Sequence, residues 1–154
     1  MERTFVMVKS DGVQRRLVGE ILGRFERKGL KIVGLKILRM PPAQAEDLYS
    51  VHKGRPFYDG LVKFITASPV VTMVLEGTRA IQVVRTMLGK TFSYEAEPGT
   101  IRGDFGVSKG YNLIHGSDSP ESAQREIPIF FQKNELVDWK SVDVEWVYEG
   151  PERE

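Results

Sequence analysis

Apolar residues recur along the chain at periods that change from block to block, and the changes mark out elements. Phe5 to Val8 is an unbroken, partly β-branched apolar run closed by Lys9, Ser10, Asp11 and Gly12. That is the pattern of a strand buried on both faces, and it sets Lys9 at the strand's end. From Leu17 to Lys28, Val18, Ile21, Leu22 and Phe25 recur at helical spacing, with Glu20, Arg24 and Arg27 on the water-facing side and Gly29 as the stop. Lys31 to Arg39 alternates through Val33, Leu35 and Ile37 and predicts a second strand. Pro41 and Pro42 then introduce a helix over Ala43 to Val51.

Phe57 to Thr66 reads as a further helix and Val70 to Leu75 as a third buried strand. Arg79 to Leu88 is a helix with Ile81, Val84 and Leu88 inward and Gly89 after it. Lys90 to Asn112 has no sustained period but holds Gly99, Gly103, Gly106 and Gly110, so it is expected to be a binding loop. Ser119-Pro120-Glu121 combines a serine cap, a first-turn proline and a carboxylate at the positive helix end, and predicts a helix to about Phe131. Leu136 to Glu149 sets Trp139, Trp146 and Tyr148 among acidic residues, more apolar area than a free tail exposes; it is expected to pack on the domain or on another subunit. No repeat or linker divides the chain and only Gly150 to Glu154 reads as loose, so one domain is expected.

Composition narrows the classes of function. With 154 residues, 41% hydrophobic and 28% charged, the chain can bury one sizeable core. A net charge of +1 supplies no global field for nucleic acid or an anionic membrane, so an anion must be held by locally placed cations, and nucleic-acid binding is not expected as the main function. The absence of cysteine removes disulfides and thiolate zinc sites and points to the cytoplasm. The short Phe5 to Val8 run is expected to be neither signal peptide nor membrane span.

Two histidines are present, His52 and His115, and an isolated histidine is most often a surface or structural residue. His115 has the more informative context. It follows the glycine-rich segment and stands just before the capped helix at Ser119, where backbone N–H groups are free to receive an anion. Neutral imidazole is nucleophilic near pH 7, and a phosphorylated ring nitrogen is a good enough leaving group to pass a phosphoryl group onward. Such a group needs fixed cations, and Lys9, Arg55, Arg85 and Arg102 lie at element ends, beside glycines or in the loop. No Walker loop, no Gly-x-Gly-x-x-Gly after a strand and no His-Arg-Asp motif occurs. The two histidines are far apart and no His-Glu-x-x-His cluster exists, so any metal is expected to arrive with phosphates.

The segments VKSDGVQR from Val8, GEILGRFERKG from Gly19, RPFYDGLV from Arg55, SPVVTMVLEG from Ser68, MLGKT from Met87, PGTIRGDFG from Pro98 and NLIHGSDSPESAQREI from Asn112 resemble the nucleoside diphosphate kinase family. The likeness extends from Arg3-Thr4-Phe5 to Trp146-Val147-Tyr148-Glu149, and its Asn-x-x-His-Gly-Ser-Asp core is highly specific. The resemblance implies an α+β, ferredoxin-like fold, a four-stranded antiparallel sheet covered by helices. It makes residues 1–154 one such domain, with a C-terminal extension over 136–154. It further implies ping-pong transfer of the γ-phosphoryl group from a nucleoside triphosphate such as ATP to a nucleoside diphosphate, through phosphohistidine at His115. By matching positions, Lys9, Tyr49, Arg85, Thr91, Arg102 and Asn112 would surround phosphates and sugar, and Phe57 and Leu61 would hold the base. Glu126 would orient the histidine ring and Ser117 would support Glu126. A base held mainly by stacking on Phe57 implies broad base tolerance, although an aromatic at such a position is otherwise more often a core residue. Mg2+ is expected as cofactor, held chiefly by the nucleotide phosphates. The family forms hexamers or, in some bacterial members, tetramers, and a homo-hexamer is expected here.

The chain departs from the family pattern at a few places. Ser10 replaces the usual proline after the lysine, Phe92-Ser93 stands where Asn-Pro is common, and Lys109 and Tyr111 replace a frequent valine and arginine at the expected edge of the base pocket. Two other readings compete with the enzyme: a noncatalytic nucleotide- or RNA-binding α+β module, in which His115 is dispensable, and an inactive structural oligomer built on the C-terminal aromatics.

Overall fold

The apolar run near the N-terminus becomes a central strand. In the computed structural model, which describes residues 1–153, β1 (Glu2–Val8) is followed by a five-residue helix, α1 (Ser10–Gln14), and by α2 (Val18–Lys28). Then come β2 (Lys31–Leu38), α3 (Pro42–Leu48), a 3-10 turn over Ser50–His52, α4 (Tyr58–Thr66), β3 (Val70–Gly77) and α5 (Ala80–Leu88). The chain ends with α6 (Ile101–Phe105), β4 (Ile114–Gly116), α7 (Pro120–Phe130) and a short α8 (Val144–Val147). The strands form one sheet in the order β2-β3-β1-β4 with every pairing antiparallel, so this is the α+β architecture that the resemblance implied.

Both faces of the sheet are covered, which is why β1 carries no polar alternation. Val6 and Val8 point into a layer with Ile21, Phe25, Val84 and Leu88 of the helices on one side. Phe5 and Met7 point into the other layer with Leu48, Tyr49, Ile65 and Phe130. Each such side chain contributes about 1.5–3 kcal/mol through burial, and two layers fed by one strand tie the sheet to five helices.

Several expectations are corrected. Leu35 and Ile37 alternate as predicted, yet they are 50% and 66% exposed, because an irregularity in the β2–β3 register between Ile32 and Gly34 flips the phase after Val33. Arg24, expected to face water, is tied to Glu20 and to Asp104 at 2.7 Å, pinning α6 against α2. The segment over Lys90 to Asn112 is not wholly irregular: it contains a 3-10 turn at Ser93–Glu95 and α6, whose first turn is capped by Thr100 accepting from Gly103 N. The helix begun at Pro42 stops at Leu48 rather than Val51, and α1 and β4 were not anticipated from periodicity. They are too short, at five and three residues, to show a period.

The C-terminal segment folds back along the outer edge of β2. Val137 N donates to Val33 O at 2.8 Å and Trp139 Nε1 to Ile32 O at 2.9 Å, while Lys31 donates to Trp139 O. Trp146 remains 91% exposed.

Candidate active site

Register between two strands assembles the chemical centre. β4 pairs with β1 so that His115 lies opposite Met7 and Ile114 opposite Val8, which brings the first residue after β1, Lys9, beside the start of β4. Lys9 N donates to Leu113 O at 2.8 Å and closes the junction. Ile114 points into the layer beneath α5. His115 takes the opposite face, with its ring 5.8 Å from Phe5 and 6.1 Å, edge-on, from Tyr49.

His115 lines an open cavity of about 900 Å³. Its Nε2 hydrogen-bonds Glu126 Oε1, and the Glu126 side chain, 4% exposed, comes from α7. Ser117 Oγ, expected beside Glu126, donates to the same carboxylate oxygen at 3.2 Å. The imidazole pKa is lowered from its ordinary value, first by burial and then by Lys9 and Arg85, against the opposing pull of Glu126. The ring is therefore neutral at pH 7, with Nε2 engaged and Nδ1 left as the free nitrogen.

Three of the four singled-out cations, Lys9, Arg85 and Arg102, line this cavity, while Arg55 is not among its lining residues. Lys9 Nζ, nearly buried, donates to Asn112 Oδ1 at 2.9 Å. Burial, and next the charge of Arg102, lower its pKa to about 8. Arg102 is more than a surface cation. Its Nε, Nη1 and Nη2 donate to Asn112 O, Gly89 O and Ile114 O at 3.1, 3.0 and 2.6 Å, tying the loop to both ends of the Asn112–Ile114 segment. A guanidinium carries five N–H groups, so two remain for an anion. Burial and then Arg85 lower its pKa to about 10, so it stays charged at neutral pH. Arg85 donates to Gly116 O at 3.2 Å, and Asn112 Nδ2 donates to the Thr91 carbonyl at 2.9 Å.

The walls differ in character. Tyr49 is buried, its hydroxyl has no partner, and burial pushes its pKa upward, so it is a neutral phenol with a free donor. Phe57 is 53% exposed at the cavity mouth, with Leu61 one helical turn on, which removes the core-aromatic reading of Phe57. Every residue expected around the nucleotide, namely Lys9, Tyr49, Phe57, Leu61, Arg85, Thr91, Arg102 and Asn112, lines this one cavity with His115 and Glu126.

A family model for nucleoside diphosphate kinase matches residues 2–136. The chain belongs to the nucleoside diphosphate kinase family. It is 58% identical over 149 residues to the nucleoside diphosphate kinase of Archaeoglobus fulgidus, covering 97% of this chain and 99% of that one. It is 55% identical to that of Carboxydothermus hydrogenoformans, covering 97% and 100%. Among solved structures, the Halobacterium salinarum nucleoside diphosphate kinase in complex with CDP superposes with a TM-score of 0.94 at 53% identity, over 96% of this chain and 99% of that one. A Babesia bovis nucleoside diphosphate kinase family protein superposes with a TM-score of 0.93 at 46% identity, over 96% of this chain and 100% of that one. The chain is thus an enzyme, a phosphotransferase with the nucleoside diphosphate kinase function.

Two further residues of this nucleoside diphosphate kinase lie at the cavity without having been singled out in the sequence. His52, set aside as the less informative histidine, stands edge-on to Phe57 at 5.3 Å and lines the cavity. Arg125 donates to Asp47 O and Leu48 O, tying the end of α3 just before Tyr49 to the helix that carries Glu126. Nothing in the periodicity marks either residue. Of the departures from the family pattern, Phe92, Lys109 and Tyr111 line the cavity. Tyr111 stacks on Phe64 at 4.7 Å, and Lys109 Nζ lies 5.1 Å from the centre of the Phe92 ring. Ser10, in place of proline, is buried and donates to Ser68 O at 3.0 Å, fastening α1 to the loop after α4.

Proposed function

We propose that this nucleoside diphosphate kinase works by ping-pong transfer through phosphohistidine at His115. The observation that carries the reading is a carboxylate-anchored imidazole lining the same cavity as Lys9, Arg85 and Arg102. The Nδ1 lone pair attacks the γ-phosphorus of a nucleoside triphosphate, the bond from that phosphorus to the β–γ bridging oxygen breaks, and the nucleoside diphosphate leaves. In the second half-reaction a terminal oxygen of the acceptor's β-phosphate attacks the same phosphorus and the P–N bond breaks. Lys9, Arg85 and the two spare N–H groups of Arg102 neutralise charge on the oxygens in flight. Asn112 and Tyr49 supply directional donors. Glu126 accepts the Nε2 proton's hydrogen bond and offsets the positive charge that the ring gains on phosphorylation.

Magnesium would enter with the nucleotide as part of the substrate, where it would offset charge on the phosphate oxygens. Among the described residues no three His, Cys, Asp or Glu side chains come together as a metal cage. The half-exposed Phe57 ring gives a stacking surface that every base can use, which supports broad base tolerance. Residues 136–154 are read as an extension of the same domain, since the family match ends at 136 while Val137 and Trp139 bond to β2. The exposed Leu35, Ile37 and Trp146 side chains support a homo-oligomer, read as a hexamer, which light scattering tests. The cysteine-free composition supports a cytoplasmic location, and no helix among the described residues is long and apolar enough to cross a membrane.

The deciding experiment incubates the protein with γ-labelled ATP and no acceptor. Label is expected to stay on the protein, labile to acid and stable to alkali, and to leave on addition of GDP. His115→Ala is expected to fold normally and take up no label. An unlabelled wild-type protein, or a histidine variant with near-normal turnover, removes His115 from the mechanism.

A further inference from the structure

Asn112 and His115 stand three positions apart, and in a regular strand an odd separation sends two side chains to opposite faces. Here both line one cavity, while Leu113 and Ile114 between them are both buried in the same apolar layer, Ile114 also touching the cavity. The break in alternation lies at Leu113, whose φ of 73° is in the left-handed region that a leucine seldom adopts. This backbone turn is what phases Asn112 with His115.

Such a conformation persists only where its surroundings hold it. The carbonyl of Leu113 accepts from Lys9 N, and Arg102 grips the carbonyls on either side. The amide of Leu113 donates to Asp11 Oδ2 at 3.1 Å. Asp11 sits in α1, one residue before Gly12, where an added Cβ would stand 3.0 Å from Leu113 O and 2.6 Å from Val8 Cγ1. The missing side chain at Gly12 thus lets α1 close onto Leu113. The other carboxylate oxygen of Asp11, Oδ1, is buried without a partner, so packing alone does not account for the side chain's placement. Asp11 is not among the residues lining the cavity.

We propose that Asp11 is a positioning residue for phosphoryl transfer, its carboxylate holding the Leu113 amide in the left-handed turn that sets Asn112 and His115 on the same side of β4. The proposal rests on the reading of His115 as the phosphoryl acceptor. Asp11 acts without touching the nucleotide, by fixing the backbone from which the nucleophile and its amide neighbour project. A secondary effect runs through Lys9, whose charged form the Asp11 carboxylate favours against burial.

The test compares wild type, Asp11→Asn and Asp11→Ala by three readouts: the single-turnover rate of label transfer from γ-labelled ATP to the protein, the affinity for ADP, and hydrogen exchange at the Leu113 amide. Asparagine keeps an acceptor oxygen, so Asp11→Asn should label within about threefold of the wild-type rate, whereas Asp11→Ala should label at least about tenfold more slowly. ADP affinity in both variants should change by less than about threefold, because stacking on Phe57 and the arginine contacts persist. The Leu113 amide should be protected in wild type and Asp11→Asn and lose protection in Asp11→Ala. Wild-type labelling rates in Asp11→Ala, or an Asp11→Asn variant as slow as the alanine, overturn the proposal. So does a wild-type Leu113 amide that exchanges freely, a measurement that stands even if the alanine variant does not fold. Failure of the wild-type protein to label at all removes the phosphohistidine reading instead, so the two failures are distinguishable.

Discussion

His115 on β4 and Glu126 on α7 share a hydrogen bond between the ring's Nε2 and a buried carboxylate, with Ser117 donating to the same oxygen. The bond fixes the tautomer and the ring plane together, and it leaves Nδ1 as the free nitrogen, the one proposed to attack phosphate. The buried carboxylate is hydrogen-bonded by both groups, and in the proposed mechanism it faces a ring that becomes cationic on phosphorylation.

Glu126→Gln keeps the shape of the contact and removes its charge. Phosphorylation of His115 is expected to slow by about tenfold to a hundredfold, on the order of 1.4 to 2.7 kcal/mol of transition-state stabilisation, with KM for the nucleotide little changed. Rapid-quench labelling with γ-labelled ATP measures it. An unchanged rate would show that the carboxylate's charge is not used.

Lys9 gives the pH dependence a definite sign. Its pKa is lowered to about 8, so the cation needed at the phosphates is lost as pH rises through that value, and kcat/KM should fall on the alkaline side. The lowered His115 pKa sets the acid limb below the ordinary imidazole range, since the protonated ring has no lone pair at Nδ1. Lys9→Arg, which stays charged, should move the alkaline limb to higher pH even where its maximal rate is lower. An alkaline limb unmoved in that variant would assign it to another group.

Arg102 should couple activity to stability. Arg102→Ala removes three bonds to the carbonyls of Gly89, Asn112 and Ile114, so the loss is expected to be about 2–4 kcal/mol of folding stability besides the loss of phosphate binding. Arg102→Lys, with a single nitrogen, should recover charge but little of the stability. Urea denaturation beside steady-state kinetics separates the two effects. A fully stable alanine variant would mean that the clamp is dispensable.

Phe57→Ala removes the stacking face at the cavity mouth. KM for nucleoside diphosphates should rise by an amount corresponding to about 1–3 kcal/mol, and by a similar factor for ADP, GDP and CDP, since every base offers a π-face. A rise confined to one base would indicate recognition of base edges rather than stacking.

The parts of the fold that follow from periodicity are those long enough to show a period. The continuous run Phe5 to Val8, the amphipathic faces of α2 and α5, and the Ser119-Pro120 start of α7 all stand where the pattern places them. Leu35 and Ile37 show the opposite case. Their alternation is real, but the register irregularity between Ile32 and Gly34 in the pairing with β3 decides which face it serves. His115 stood out by its setting between a glycine-rich loop and a capped helix. The roles of Glu126, Ser117 and the nucleotide contacts came from the family resemblance, since nothing local distinguishes Glu126 from Glu121 on the same helix.

The sequence by itself determined the main helices and strands, the absence of a global charge to draw anions, and the family to which the chain belongs. Tertiary structure alone decided which side chains meet. Lys9 and Asn112 are 103 positions apart in the chain, yet they share a 2.9 Å hydrogen bond, because β1 and β4 pair in a register that no single segment encodes. The left-handed turn at Leu113 is likewise invisible locally, since leucine does not favour it; besides its own closing bond from Ile114 N to Asn112 O, it is braced by Asp11, Lys9 and Arg102, brought from elsewhere. Local propensity sets elements, whereas the position of a nucleophile depends on contacts whose partners are distant in the chain and become neighbours only when the sheet closes.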